Sequence, residues 1–436
     1  NQAETDSMLD MLKAAGANIV EFDEKADIYI VNTCSVTNIA DKKSRQMLHR
    51  ARKMNPDGIV IAAGCYVQSA REILEQDEAI DIVISNNKKK SITEIVNDYI
   101  NVRNNEKNAP GKDHEAMEYF VDISRETEYE EMGGHVPVGH TRAYVKIQDG
   151  CNQFCSYCII PYVRGRIRSR SQEAILAEVS ELAEAGIKEV VLTGIHISSY
   201  GKDKNNEGAL IELIEAISKI KGIKRIRLGS LEPGIITEEF VERISSNSKV
   251  CPHFHLSLQS GCDSVLKRMN RKYTCEQYFE KCDMLRKAYK SPALTTDVIV
   301  GFPGETEEEF AETVRYLTEL NLYEMHIFKY SPRKGTVAAA MKEQVAPEIK
   351  NERSDVLLKL AHDNKTAYEA QFEGCELEVL VEEVVKKDNK TYLRGHTERY
   401  MDILIDVGDI SMPESFVNSF VYVTYTQNGG NLPLLL

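Results

Sequence analysis

The chain has 436 residues, 42% of them hydrophobic, and a formal net charge of −14, which sets an expectation of two to three domains with real cores. No apolar run reaches about 18 residues and no secretory pattern is visible, so the reading excludes a helical membrane span and takes the cytoplasm as the default compartment. The acidic balance excludes overall charge as a basis for nucleic-acid binding and leaves that role to local basic patches. Ten cysteines, several of them clustered, point to metal ligation in a reducing compartment rather than to a disulfide framework.

Helical patterning starts almost at once, through Met8, Leu9, Met11 and Leu12. An α/β domain usually opens with a strand, and residue 1 is Asn, so further residues are expected upstream. ADIYIVNTC reads as a strand ending at Cys34 and NIADKKSRQMLHRARK as a helix. GIVIAAGC is a strand ending at Cys65, DIVIS another strand and SITEIVNDYI another helix. Residues 1–104 therefore predict a small parallel α/β domain. Both cysteines fall just past the carboxyl ends of strands, where open α/β sheets place their ligands.

Residues 105–140 read as a linker, polar and unpatterned over 101–118, followed by bridging strands. Between 141 and 371 a regular β-α beat sets in. Its strands are AYVKI, EVVLTG, RIRLGS, HFHLSL, LTTDVIVGF and MHIFKYS, separated by helices such as QEAILAEVSELAEAG and EEEFAETVRYLTEL. Six such units predict a partial (β/α)6 barrel, with its chemistry at the carboxyl ends of the strands. A helix-prone stretch, 347–372, leads into an all-β module over 372–436, plausibly a small barrel.

The first barrel strand runs into DGCNQFCSYCIIPYVRGRIRSR, with Cys151, Cys155 and Cys158 spaced C-x3-C-x2-C and no fourth cysteine nearby. Three thiolates can hold three corners of a cubane iron–sulfur cluster and leave the fourth iron open to a small molecule. A structural zinc site with a fourth ligand from elsewhere is one alternative, and a set of unligated buried thiols another. Tyr157, directly before the third cysteine, and the strand-end placement favour the cluster. Cys34 and Cys65 are each readable singly as small buried residues, but equivalent positions on parallel strands give them a common mouth. Cys251, Cys262, Cys275, Cys282 and Cys375 show no ligand spacing and read as buried structural thiols.

C-x3-C-x-aromatic-C after the first strand of a β/α barrel resembles the radical S-adenosylmethionine (SAM) superfamily. The longer string VKIQDGCNQFCSYCIIPYVRGRIRSR is similar to the methylthiotransferases, over the whole chain. The resemblance implies an amino-terminal cysteine domain, a radical SAM barrel and a carboxy-terminal TRAM module. It implies that Cys151, Cys155 and Cys158 hold a [4Fe-4S] cluster whose open iron chelates SAM, with Tyr157 beside the adenine. One-electron cleavage of SAM then gives methionine and a 5′-deoxyadenosyl radical. A second, auxiliary [4Fe-4S] cluster is implied at Cys34 and Cys65, and its third cysteine is expected upstream of Asn1. In this scheme a second SAM methylates a sulfide on the auxiliary cluster, and the substrate carbon radical captures the methylthio group. An electron donor such as a flavodoxin or ferredoxin and a sulfur source are implied partners.

Later strand ends offer further SAM contacts. Ser257 and Gln259 lie at the mouth of one strand. Asp297 precedes a turn from Gly301 to Gly304, whose backbone N–H groups can approach a polar ligand, although an ordinary strand-to-helix turn capped by Glu305 and Thr306 reads the same way. Gly194 allows close backbone approach, and His196 reads as packed or solvated.

Arg164, Arg166, Arg168 and Arg170 form a run without acids directly after the cluster loop and are candidates for RNA contact. The stretches 42–53 and 267–272 are further basic patches, each also readable as a solvated face. Residues 373–436 hold 11 acidic and 5 basic side chains, which leaves Arg394, His396, Arg399 and Tyr400 as a local edge for RNA. The wording VKIQDG is most similar to the methylthiotransferases that act on N6-threonylcarbamoyladenosine in bacterial tRNA. Relatives acting on N6-isopentenyladenosine in tRNA or on a ribosomal-protein aspartate are alternatives, as is a non-catalytic metal-bearing RNA-binding protein. Adenine C2 is most accessible in a splayed anticodon loop, since unstacking one base is cheapest in single-stranded RNA.

Overall fold

A computed structural model describes residues 2–35, 38–106, 117–133, 141–388, 390–408, 412–427 and 429–431. The amino-terminal sheet is parallel, in the order β1 (Ile28–Thr33), β2 (Ile59–Gly64), β3 (Ile82–Ile84) and β4 (Met117–Tyr119). β2 is buried at every position, as a central parallel strand covered on both faces must be. One face packs Met8, Leu12, Ile92, Ile95 and Val96 against Ile59, Ile61 and Ile82, and the other packs Leu48 and Ala51 against Val60 and Val83. The helix after β3 runs on to Glu106, and β4 comes from the stretch read as linker and bridge, so this sheet takes its last strand from beyond residue 104. The central part of that linker, 107–116, and residues 134–140 lie outside the described residues.

Six parallel strands follow in chain order around a curled, incomplete barrel. They are β5 (Arg142–Asp149), β7 (Glu189–Gly194), β8 (Arg225–Leu228), β9 (His253–His255), β10 (Ala293–Val300) and β11 (Glu324–Lys329). A two-residue strand, β6 (Arg168–Ser169), turns back against the end of β5. The ladder thins between β8 and β9 to the isolated bridges Ile226↔Val250 and Leu231↔Leu256. Alternation decides what each face carries. Ala143, Val145 and Ile147 join the main core, which also holds Ile226, Phe254 and Val298. The opposite face carries Arg142, Tyr144, Lys146, Arg227, His255 and Asp297. The helices Gln172–Glu184 and Glu307–Leu320 start at the side-chain caps Ser171 and Thr306, the latter a full capping box with Glu309.

The carboxy-terminal strands close a small barrel, in the order β12 (Glu376–Lys387), β13 (Lys390–Thr397), β14 (Asp402–Asp406), β16 (Gly429–Asn431) and β15 (Phe420–Thr426). Among the described residues all pairings are antiparallel except the short one between β14 and β16. This barrel docks on the amino-terminal ends of β7 and β8, away from the cysteine loops. Arg225 donates to His396 O and Glu378 O, both at 3.0 Å, and Arg227 to Glu398 O at 3.0 Å. Behind them Arg227 Nε holds Glu189 Oε1 at 2.8 Å, with only 2% of the Glu189 side chain exposed. Arg227→Met leaves that carboxylate short of its main partner and is expected to cost about 3 kcal/mol, read as a lower urea midpoint. Burial alone would raise the Glu189 pKa, but Arg227 and Arg225 outweigh it and hold the carboxyl below its ordinary value. The pair's contribution is therefore full above the unfolded value, about 4.3, and is lost as pH falls through the lower folded value. The gap between native chain and variant should close in that acid range.

Candidate functional site

The loop after β5 owes its shape to close backbone crossing. Gly150 has φ +72°, and a Cβ there would meet Arg166 O at 1.8 Å, so no side chain fits. The Cys151 amide donates to Gly165 O at 3.0 Å, and buried Gln148 donates to Asp149 O and Gly150 O, each at 2.6 Å. Further along, Ser156 N donates to Met269 O and Asn270 Nδ2 to Phe154 O. Cys151, Cys155 and Cys158 are thus fixed on one half-buried loop above the carboxyl end of β5. Burial pushes the Cys151 thiol up to about 11 and Cys158 up to about 12, so both carry protons in the metal-free chain and release them on ligation.

Arg271 completes this site. Its Nη1 lies 3.2 Å from Cys155 Sγ, and its Nη2 donates to Glu232 Oε2 at 2.9 Å and Ser257 O at 3.1 Å. The stretch 267–272 read as a solvated basic patch or an RNA contact. The structure instead buries Arg271 beside the cysteine loop, where the cation suits an anionic cluster. Three thiols on one loop, with a buried guanidinium donating to one of them, fit a thiolate-held cluster with one open iron.

The amino-terminal cysteines meet a second mouth. Thr33 pairs with Gly64 in register, so Cys34 and Cys65 are the next residues on adjacent strand ends. Cys65 is buried, Cys34 half-buried. Two donors aim at the Cys65 sulfur: Arg164 Nε at 3.0 Å and Asn86 Nδ2 at 3.7 Å. Arg164 belongs to the barrel's cysteine loop, so the two mouths share a wall. On the Cys34 side another barrel arginine, Arg333, donates to Ser35 Oγ at 2.7 Å and to Asn38 Oδ1 and Asp41 Oδ2, both at 2.6 Å. Donors facing the Cys65 sulfur suit a thiolate ligand, and Cys34 at the adjacent strand end is placed to join it in holding a cluster.

The remaining expected SAM contacts are placed as follows. Tyr157 stands edge-on to Phe302, centroids 6.5 Å apart, in a cluster with Met269 and Tyr330. Gly194 closes β7, and a Cβ there would meet Gln148 O at 2.8 Å. Gly194, Glu4, Lys146 and Arg164 line a cavity of about 170 Å³. Ser257 lies beside Arg271, and Gln259 sits at φ +76° with its amide donating to Asp297 O. Asp297 itself has His255 Nε2 at 3.4 Å, and the ligand atoms of His255, Asp297 and His326 lie within 4.8 Å of one another. His196 is packed between Ser199 and Glu232.

The glycine turn is corrected. The Gly301 amide donates to Glu305 Oε2 at 2.7 Å, which Arg353 Nη1 also holds at 2.7 Å, and the Gly304 amide donates to Glu343 O at 2.7 Å. Those N–H groups are spent inside the protein. Both glycines serve the strand-to-helix turn that Thr306 caps.

The expected RNA edge is corrected as well. Arg164, Arg168 and Arg170 are 3%, 1% and 4% exposed, too buried to meet a phosphate backbone. Arg168 donates to Arg164 O and Arg166 O, and Arg170 holds Glu131 and Glu178. Only Arg166 of the four reaches solvent, its guanidinium 4.6 Å above the Phe154 ring. In the carboxy-terminal barrel His396 stacks on Tyr400 at 4.5 Å, and Tyr400 lies under Arg142 and Arg227. Arg399 donates to Ser291 O and Lys290 O. These three serve domain docking, and exposed Arg394 is paired with Asp402 and Glu383. Of the cysteines read as structural, Cys251, Cys262 and Cys282 are buried, Cys275 is half-buried and Cys375 is exposed.

Comparison with known proteins agrees with this fold. Residues 145–317 match the Radical SAM superfamily and residues 1–85 an uncharacterized protein family, UPF0004. The chain is 39% identical to the threonylcarbamoyladenosine tRNA methylthiotransferase MtaB of Bacillus subtilis (strain 168), over 93% of this chain and 87% of that protein. It is 37% identical to the protein of the same name from Thermotoga maritima, over 92% and 88%. It is 35% identical to the tRNA-2-methylthio-N(6)-dimethylallyladenosine synthase of Thermoanaerobacter pseudethanolicus, over 98% and 88%. Among solved structures it is similar to the radical S-adenosylmethionine methyltransferase TsrM from Kitasatospora setae, with a TM-score of 0.54 at 15% identity over 76% of this chain and 73% of that one, a likeness of fold.

Proposed function

The chain belongs to the radical SAM methylthiotransferases, and on that premise we propose that it converts N6-threonylcarbamoyladenosine in the tRNA anticodon loop, at position 37, to its 2-methylthio derivative. The observation that carries the reading is the packing of Cys65 against the segment that follows the SAM-cluster cysteines. Cys65 packs with Ile159 and Val163, from the segment directly after Cys158, and accepts from Arg164 of that same segment, with Cys34 on the adjacent strand end. The family uses SAM and [4Fe-4S] clusters, which when bound supply the deoxyadenosyl radical and the methylthio group.

The chain's own residues do the rest. Cys151, Cys155 and Cys158 hold the SAM cluster, and Cys34 and Cys65 contribute to the auxiliary one. Arg271 keeps a positive charge beside Cys155 and is itself held by Glu232. Tyr157 supplies an aromatic wall, Gly194 a backbone that a ligand can approach, and Ser257, Gln259 and Asp297 polar groups at the strand ends. Arg166 is the member of the arginine run left to meet RNA. A one-electron donor such as a flavodoxin or ferredoxin, a sulfur source and a cytoplasmic setting complete the proposal. No described helix is long and apolar enough to cross a membrane.

A second reading is favoured by the 35% identity to dimethylallyladenosine synthases over nearly the whole chain. One experiment separates the two. Nucleosides from tRNA of a deletion strain, resolved by mass spectrometry, should lack 2-methylthio-N6-threonylcarbamoyladenosine and accumulate its unthiolated precursor. Loss of the 2-methylthio isopentenyl nucleoside instead would favour the second reading, and unchanged tRNA would overturn both.

A further inference from the structure

Arg164 follows Cys158 by six residues in a sequence that reads as a basic strip for RNA, yet it is 3% exposed. Its Nε points at Cys65 Sγ, 3.0 Å away. The other end of the guanidinium is gripped by carboxylates: Nη1 by Glu4 Oε1 and, at 3.2 Å, by Asp149 Oδ2, and Nη2 by Glu4 Oε2 at 3.2 Å. These partners come from far along the chain, Glu4 from the first helix, Asp149 from the end of β5 and Cys65 from the end of β2. A planar fork with donors on three sides suits this junction, and a lysine would not span it.

The same network holds more positive than negative charge among the described residues. Glu4 also accepts from Lys89 and, at 2.6 Å, from Lys146, and Asp149 accepts from Lys146 at 2.6 Å and has Arg168 at 3.9 Å. Four cations therefore surround two carboxylates. Glu130, the next carboxyl outward, accepts from the Lys90 amide, and counting it still leaves the cations in excess. A surplus of buried cations is costly unless an anion lies within reach. The side of the network left for that anion is the one facing Cys65, where a thiolate-ligated cluster would stand.

We propose that Arg164 is a positioning residue of the auxiliary cluster. It fixes the Cys65 sulfur against the loop that carries the SAM-cluster cysteines, and through its N–H···S bond sets how tightly the auxiliary cluster is retained and at what potential it is reduced. Donors to cluster sulfurs stabilise the more negative, reduced state and so raise the potential. The inference rests on the reading of Cys34 and Cys65 as cluster ligands.

The test uses the full-length protein carrying Cys151→Ala, Cys155→Ala and Cys158→Ala, which leaves only the auxiliary cluster. Failure of this background to load about four irons per chain overturns the reading of Cys34 and Cys65, and the proposal with it. Once it is loaded, Arg164→Lys, which keeps the charge but removes the donor aimed at sulfur, is expected to release iron to an Fe(II) chelator about 10–100-fold faster and to lower the midpoint potential. Unchanged release and potential overturn the proposal while leaving the ligand reading intact. Faster release at an unchanged potential assigns Arg164 to packing alone and overturns it as well. If Arg164→Lys does not fold, Glu4→Gln, which frees the other end of the guanidinium, is expected to speed iron release in the same way, and unchanged release overturns the proposal.

Discussion

Cys155→Ala is expected to abolish both reductive SAM cleavage and methylthio product. Three thiolates are the minimum that leaves one iron of a cubane open while holding the other three. The loop offers no replacement, because its backbone is pinned by the Gly150–Arg166 crossing and by the Ser156 and Asn270 bonds to its neighbours. Cys155 is also the sulfur that Arg271 faces, so its loss leaves a buried guanidinium opposite a methyl group. The assay is 5′-deoxyadenosine by mass spectrometry after anaerobic reconstitution and reduction, beside iron content, which should fall from about eight to about four per chain. Deoxyadenosine at the native level would sink the assignment of the open iron to this loop. Absence of deoxyadenosine from the native, fully loaded protein would sink the enzyme reading altogether.

The parts of the fold legible in the sequence are those written in local signals. The helix Glu307–Leu320 begins where Thr306 and Glu309 form a capping box, and the six barrel strands announce themselves as short apolar runs between helical stretches. The cysteine loops were legible because spacing within a few residues and a place at a strand end together restrict the chemistry. The arginines were not. Arg164, Arg168 and Arg170 look alike in a basic string, and what separates them from Arg166 is a partner remote in sequence, such as Glu4 with its 160-residue separation from Arg164. Composition reports that cations are present but not which carboxylate each will find. The same limit applies to Tyr400 and Arg399, which local context offers as an RNA edge and docking turns inward. At Gly301 the sequence shows a conformational permission, and only the fold shows that Glu305 already occupies the amide. That one of the bridging strands, β4, joins the amino-terminal sheet is not legible, because a three-residue strand paired at one edge carries too little pattern to stand out from a polar stretch.

Cys34→Ala separates the two mouths. It is expected to leave SAM cleavage to 5′-deoxyadenosine near the native level and to abolish sulfur insertion. The physical ground is that Cys34 stands at the end of β1, while Cys151, Cys155 and Cys158 are held by β5, the Gly165 crossing and Asn270, so its loss leaves the SAM-cluster loop intact. Cys65→Ala is the poorer probe. The Cys65 sulfur accepts from Arg164 Nε, and Arg164 lies six residues beyond Cys158, so removing that acceptor strands a buried donor and disturbs both mouths together. The order expected from the structure is therefore a clean split for Cys34→Ala and a mixed loss for Cys65→Ala. Deoxyadenosine and 2-methylthio nucleoside, quantified in the same reactions, give the comparison. Equal loss of both products in Cys34→Ala would contradict the division of labour. It would mean that the amino-terminal cysteines are needed to build the SAM site itself, and Arg164, the group that joins the two mouths, would be the first place to look for that dependence.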